Sequence, residues 1–347
     1  MSKNVSKEVK NDSQVEKVSQ EFNNRCYGII IVKSQHSNFN ADFSGFPRRL
    51  PDKNGTIYAT DKALKYAIRR YWVDKGEKVF VWKEYKADGS PYELKDRIAH
   101  IANKDKSNSN SKDTNNIINV LLNCIDVRCF GITYAVEKNN YSICGPVQIS
   151  YGVNRFNENV VYSNQILSPY KTEESAKQST IGSETKAMES HYVFDFVINP
   201  NNLYDHYEEL KNNENIPKLT NDDIDLLKEA MCKGVTNLNS CSKIGSENEF
   251  LLFITLNENS SLQLPTMKDL VSISKDEDKY KIDLSKIFTY LEKFLSKQNT
   301  NQSDKDNKDG IEQIELYYNQ DFVIVEGIKL NNIKYFDLNL NSKDTSK

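Results

Sequence analysis

Three cations in the stretch "IYATDKALKYAIRRYW" (residues 57–72) have a spacing that could do chemistry. At 100° per residue, Lys62, Lys65 and Arg69 fall within about 60° of one another on a helix. Leu64, Ala67, Ile68, Tyr71 and Trp72 form an apolar stripe elsewhere on it. Point charges placed along one helix face can neutralise phosphates without reading bases. They can equally be a solvated face, because amphipathic helices commonly carry Lys and Arg outward. Thr60 is placed to cap this helix, and Asp61 suits the positive end of its dipole.

Other chemistries lack their residues. His36, His100, His191 and His206 show no metal-ligand spacing, and none of the six cysteines forms a C-x-x-C pair. Buried free thiols are the expected state of Cys26, Cys124, Cys129 and Cys144. The chain contains no P-loop, no G-x-G-x-x-G fingerprint and no G-x-S-x-G elbow. Neither a catalytic set, a metal site nor a cofactor is expected. The net charge of -3 hides an asymmetry, since residues 25–100 carry 15 Lys or Arg against 9 Asp or Glu. A local positive field in acidic surroundings suits a confined polyanion site.

The elements that must hold these residues can be read coarsely. A chain of 347 residues with 38% hydrophobic content can bury a substantial core. Apolar runs such as "YGIIIV" are too short to span a membrane, and the polar N-terminus lacks a signal-type apolar region. A cytoplasmic location without membrane contact is therefore expected. "CYGIIIVK" (26–33) reads as a buried strand, followed by a polar loop and the basic helix. "EKVFVWK" (77–83), "IDVRCFG", "ITYAVE", "NYSICGPVQISYG", "HYVFDFVIN" and "NEFLLFITL" (248–256) read as further strands. Residues 103–116 are low-complexity polar sequence. A helix is expected over 221–236 with Asn221 as its cap, and another in "IDLSKIFTYLEKFLSK". Strand, helix, strand, then strand, helix, strand is the order of a ferredoxin-like α+β domain with insertions.

Four stretches in this order, "NFNADFSGFPR", "IYATDKALKYAIRRYW", "IDVRCFGITYAV…GPVQISYG" and "QSTIGSETKAMESHYVFDFVIN", resemble the backbone subunit of type I CRISPR effector complexes. This is CRISPR-associated family seven, and the likeness is nearest to its type I-B branch, over roughly residues 25–205. The resemblance implies a ferredoxin-like, RRM-like palm with an inserted finger segment and a β-hairpin thumb. On this chain that gives a polar tail over 1–24 and a palm over 25–297, with fingers at about 84–119 and a thumb at about 153–180. A linker comes next over 298–310, and a C-terminal strand pair over 311–340 completes the palm. The resemblance also implies several copies in a helical arc along a CRISPR RNA guide, presented for pairing with target DNA beside other Cascade subunits. Lys65 matches the family's basic-helix lysine most directly. The sequence departs from the family in its bulkier first loop, in Cys129, in Ser179 where Gly is usual, and in Tyr66, where a basic residue is frequent.

RNA-contacting candidates are Asn38, Asn40, Arg48 and Arg49 in the first loop and Lys62, Lys65 and Arg69 on the helix. Arg128, Arg155, Gln178, Thr180 and Lys186 complete the set. For Arg128, strand alternation puts it on one face with Asp126, so a structural ion pair and an RNA contact are both open. Phe39, Phe43 and Phe46 could stack on bases, pack in the core or touch a neighbour. Against a non-catalytic scaffold stand a repeat-processing ribonuclease, which characteristically has a C-terminal glycine-rich loop missing here, and a general single-strand RNA binder. A third competitor is a metal-dependent RNA-cleaving backbone subunit of the type III kind, for which Asp42 would be the aspartate. Asp42 has no second carboxylate close in sequence, so cleavage is not expected.

Overall fold

The computed structural model describes residues 19–104, 114–136, 139–171, 178–204, 216–295, 309–330 and 333–339. Its centre is β1 (Cys26–Ser37), which runs antiparallel to β8 (Gln178–Ile198) on one side and to β9 (Ser246–Leu256) on the other. Both faces of this strand are covered, which explains the unbroken apolar run "YGIIIV". Cys26, Ile30 and Val32 face a core shared with α1 (Asp61–Asp74) and α5 (Asn221–Lys233). Tyr27, Ile29 and Ile31 face a second core, built with α6 (Ser285–Leu295) and the sheet of β10 (Ser272–Asp276), β11 (Lys279–Asp283) and β13 (Val323–Glu326).

Among the described residues the large sheet runs β14-β12-β9-β1-β8-β6-β2. Here β2 is Tyr58–Ala59, β6 Gly152–Asn154, β12 Ile311–Tyr318 and β14 Ile333–Phe336. β5 (Val147–Ile149) and β7 (Val161–Lys171) also pair with β8. β8 leaves the sheet as half of a long ribbon: its pairing with β1 ends at Ala187, and before that only β7 accompanies it.

α2 (Leu94–Lys104), α3 (Thr114–Leu122), α4 (Ile125–Phe130) and the hairpin of β3 (Gly131–Val136) with β4 (Asn139–Cys144) enclose a third core. It contains Phe80, Ile98, Ile101, Ile118, Leu121, Val127 and Tyr134. The segment expected as fingers thus shares a core with α4 and the β3–β4 hairpin. Most of the low-complexity run lies outside the described residues.

Several expected elements differ. Residues 77–83 form no strand: Arg97 donates to the carbonyls of Val79 and Phe80, and Asp126 accepts from the N–H groups of Phe80 and Val81. Side chains thereby take the hydrogen bonds a ladder would have used. "IDVRCF" is the helix α4, closed by Gly131 at φ 71°, a conformation that favours glycine. Two-residue alternation therefore does not apply to Asp126 and Arg128. Thr220, not Asn221, caps α5, in a capping box with Asp223. Within the C-terminal segment the pair in the large sheet is β12 with β14, which run parallel, whereas the consecutive strands β12 and β13 do not pair with each other. β12 joins β9 in the large sheet, whereas β13 lies parallel to β11 in the small one. Cys26, Cys124 and Cys129 are buried and free, but Cys144 is exposed.

Candidate nucleic-acid interface

α1 begins where expected, with the Thr60 hydroxyl accepting from the Ala63 N–H. Asn40 holds this cap in place: its Oδ1 accepts from the Thr60 N–H at 2.8 Å and the Thr60 hydroxyl at 2.9 Å. Arg48 donates to the Ala41 carbonyl at 3.0 Å. Arg49 donates to the carbonyls of Gly55 and Asn159, so it ties the first loop to the base of the β7–β8 ribbon. Buried Asn38 donates to the carbonyls of Gly45 and Thr185. The first loop is thus a built platform between the ribbon and α1, with Lys243 donating to the carbonyls of Asn38 and Phe39 beneath it.

On α1 the three expected cations separate. Lys65 is drawn inward against Asp61 and over the Phe130 ring, and burial holds its ammonium below the usual lysine range. Arg69 lies over the same ring and donates to Asp126 at 2.9 Å. Only Lys62 stands fully outward, beside Asp61. The outermost stripe of the helix is instead Lys62, Tyr66 and Arg70, each exposed and four residues apart. Tyr66 stacks on Trp82 with ring centroids 5.3 Å apart and planes 24° apart, and the Arg70 guanidinium lies 5.9 Å from the Trp82 ring.

Arg70 and Trp82 were legible only in part. The buried stripe centres opposite Lys62, Tyr66 and Arg70, a signal available from helical angles alone. That Trp82 joins them depends on an irregular segment whose position is set by Asp126 and Arg97.

The remaining candidates are scattered. Arg128 donates to both carboxylate oxygens of Asp223, at 3.0 and 2.6 Å, and to the Leu122 carbonyl. Burial opposes its charge, but the hydrogen bonds to Asp223 outweigh this and raise its pKa. The ion pair, one of the two readings open for Arg128, is thus present and is formed with α5. Arg155 pairs with Asp269 and the Lys268 carbonyl, away from α1. Lys186 pairs with Glu184 on the ribbon at 3.2 Å. Gln178 and Thr180 fall on the β8 backbone, and their side chains lie outside the described residues. Phe39 is core, whereas Phe43 and Phe46 are exposed.

Asp42 closes a turn by accepting from the N–H groups of Ser44 and Phe46 at 2.8 and 2.9 Å. Among the described residues no group of three His, Cys, Asp or Glu side chains is arranged to hold a metal ion, and no helix is long and apolar enough to cross a membrane.

No curated protein matches the chain. Solved structures that are similar over much of their length include the following two. A chain of a CRISPR RNA-guided surveillance complex in a pre-nicking state has 10% identity and a TM-score of 0.49, covering 90% of this chain and 96% of its own. A chain of another CRISPR RNA-guided surveillance complex has 9% identity and a TM-score of 0.38, covering 84% and 88%. The family model for CRISPR-associated protein Cas7 matches residues 24–292, a span that holds the central strands, α1 with its platform, the ribbon and α5, and the chain therefore belongs to the Cas7 family.

Proposed function

We propose that this chain is a non-catalytic backbone subunit of a type I Cascade complex, of the I-B branch, that grips CRISPR RNA through its phosphate backbone. Several copies would share one guide and present it to target DNA beside other subunits. Family membership supports the role, and the observation that carries the site is the outward stripe of Lys62, Tyr66 and Arg70 on α1, whose N-cap Thr60 is tied to the first-loop platform by Asn40. The I-B assignment rests on the four sequence stretches together, above all that of α1 and the one running from α4 through β3 to β5. β1 between β8 and β9, with α1 and α5 packed on one face, supports a ferredoxin-like palm. The ribbon of β7 and β8 has the form of a thumb. Asp42 commits one carboxylate oxygen to its own turn, which favours a scaffold over a nuclease.

Binding of a long single-stranded RNA, followed by native mass and by affinity across a salt series, tests this. Mass should rise in whole-subunit steps with RNA length. The double variant Lys62→Ala/Arg70→Ala should lose about 1.4 from the slope of log K against log salt, at roughly 0.7 per single-strand phosphate contact. Complementary RNA added with Mg²⁺ should stay intact. A single subunit per RNA at every length, or an unchanged slope, would remove the reading.

A further inference from the structure

We propose that the outer face of Tyr66, backed by Trp82 and flanked by Lys62 and Arg70, is a stacking site for one base of single-stranded RNA. This rests on the proposed RNA-binding role and deepens it, since phosphate contacts alone do not require an aromatic. Tyr66 is 50% exposed, although it lies on a helix whose other aromatics, Tyr71 and Trp72, are buried. One of its faces is stacked on Trp82, which leaves the other toward solvent. A parallel aromatic pair presents a flat, rigid platform, and a base can extend that stack without displacing a partner.

The platform is held from below by buried charge. Residues 79–82 form neither helix nor strand, yet they are fixed by Asp126 at two N–H groups, by Arg97 at two carbonyls and by the Trp82 N–H donating to the Phe80 carbonyl at 2.8 Å. Trp82 thereby keeps one position against α1, with Arg70 on its rim. Lys62 and Arg70 sit one turn, about 6 Å, to either side of Tyr66. Their present partners, Asp61 and Asp74, form surface ion pairs that water largely screens. Exchanging them for phosphates costs little. A cation, an aromatic face and a cation in register match phosphate, base and phosphate of a single strand. A duplex offers no unstacked base, and an acidic peptide has no use for the flat face.

The chain has two tryptophans, of which Trp72 is fully buried, so Trp82 is the natural reporter. Full-length protein titrated with oligo(U) should show quenching of tryptophan fluorescence that is lost in Trp82→Phe. Inorganic polyphosphate of matched charge should bind without quenching. Tyr66→Leu should weaken oligo(U) about tenfold, within what one stacked base supplies, with the salt slope unchanged. Tyr66→Phe should bind as the wild type does. If oligo(U) binds wild type and Tyr66→Leu equally and leaves the fluorescence unchanged, the stacking site is wrong while the RNA-binding role stands. Equal quenching by polyphosphate would likewise overturn it. If oligo(U) does not bind at all, both fall.

Discussion

Asp126 is fully buried and receives three donors, from Arg69 at 2.9 Å, the Phe80 N–H at 2.7 Å and the Val81 N–H at 3.0 Å. One side chain thus binds α1 to α4 and to the segment carrying Trp82. Removing it strands two N–H groups and a guanidinium that is only 14% exposed. Loss of one partner from a buried charged pair costs about 3–5 kcal/mol, because the other charge stays behind. We therefore expect Asp126→Ala to lower stability by about 3 kcal/mol, read as an earlier urea midpoint. We also expect it to increase the quenching of Trp82 by iodide, as the segment loosens. A loss below about 1 kcal/mol would mean that the three bonds are dispensable. The sequence shows Asp126 and Arg128 two residues apart, a separation that puts them on one face of a strand but well apart around a helix. Helical geometry sends one to Arg69 and the other to Asp223, and only the fold decides between these periods.

The ribbon of β7 and β8 is the element whose role separates most cleanly from the core. Before Ala187 the β8 backbone pairs with β7 alone, and among the described residues the outermost side-chain ties to the body are His36 with Tyr162 and Asn38 with the Thr185 carbonyl. Ile166 and Leu167 are exposed on it, apolar surface that costs free energy in water unless covered. Replacing 164–183 by a short Gly-containing turn should leave the thermal midpoint within a few degrees of wild type. The same change should abolish multi-copy assembly on long RNA while one copy still binds, if the ribbon makes the contact between copies. Normal assembly by the shortened protein would show the contact lies elsewhere. Elements with one dominant period were legible from sequence: β1 through its apolar run, α1 through its stripe and cap, β9 through its length. Residues 77–82 misled because Val79, Phe80 and Val81 look like a strand, while the groups that bind their backbone, Arg97 and Asp126, lie far along the chain. Nor could sequence show that the turn at 319–322 carries the chain from β12 in the large sheet to β13 in the small one.

At the scale of the molecule, the two sheets meet around His191, a residue whose spacing marks it as neither ligand nor base. It is fully buried on β8, with Nδ1 2.6 Å from Glu249 of β9 and Nε2 3.2 Å from Glu189 of β8. Both ring nitrogens face carboxylates, which only the imidazolium satisfies with two donors. From the small sheet, Tyr280 of β11 donates to Glu189 at 2.5 Å and accepts from Gln35 of β1 at 2.9 Å, while Lys33 lies over its ring and pairs with Glu247. Burial opposes charge on His191, but Glu249 and Glu189 outweigh it and raise its pKa above the ordinary 6.5. The hydrogen bond from His191 holds Glu189 down, at about 2. A raised histidine contributes stability that is complete below the unfolded value, about 6.5, and is lost as pH rises through the folded one. A depressed carboxylate contributes stability that is complete above about 4.5 and is lost as pH falls toward its folded value. Both contributions are complete together between about pH 5 and 6.5, and as pH then rises through the folded value of His191 the buried Glu249 loses its counter-charge. The thermal midpoint should therefore decline from pH 6.5 upward as His191 deprotonates and the contact between sheets weakens. A histidine ring resonance, assigned by its disappearance in His191→Gln, should titrate above 6.5. A His191 midpoint below 6.5, or stability that climbs through this window, would mean that burial prevails over the two carboxylates and that neutral histidine joins the sheets.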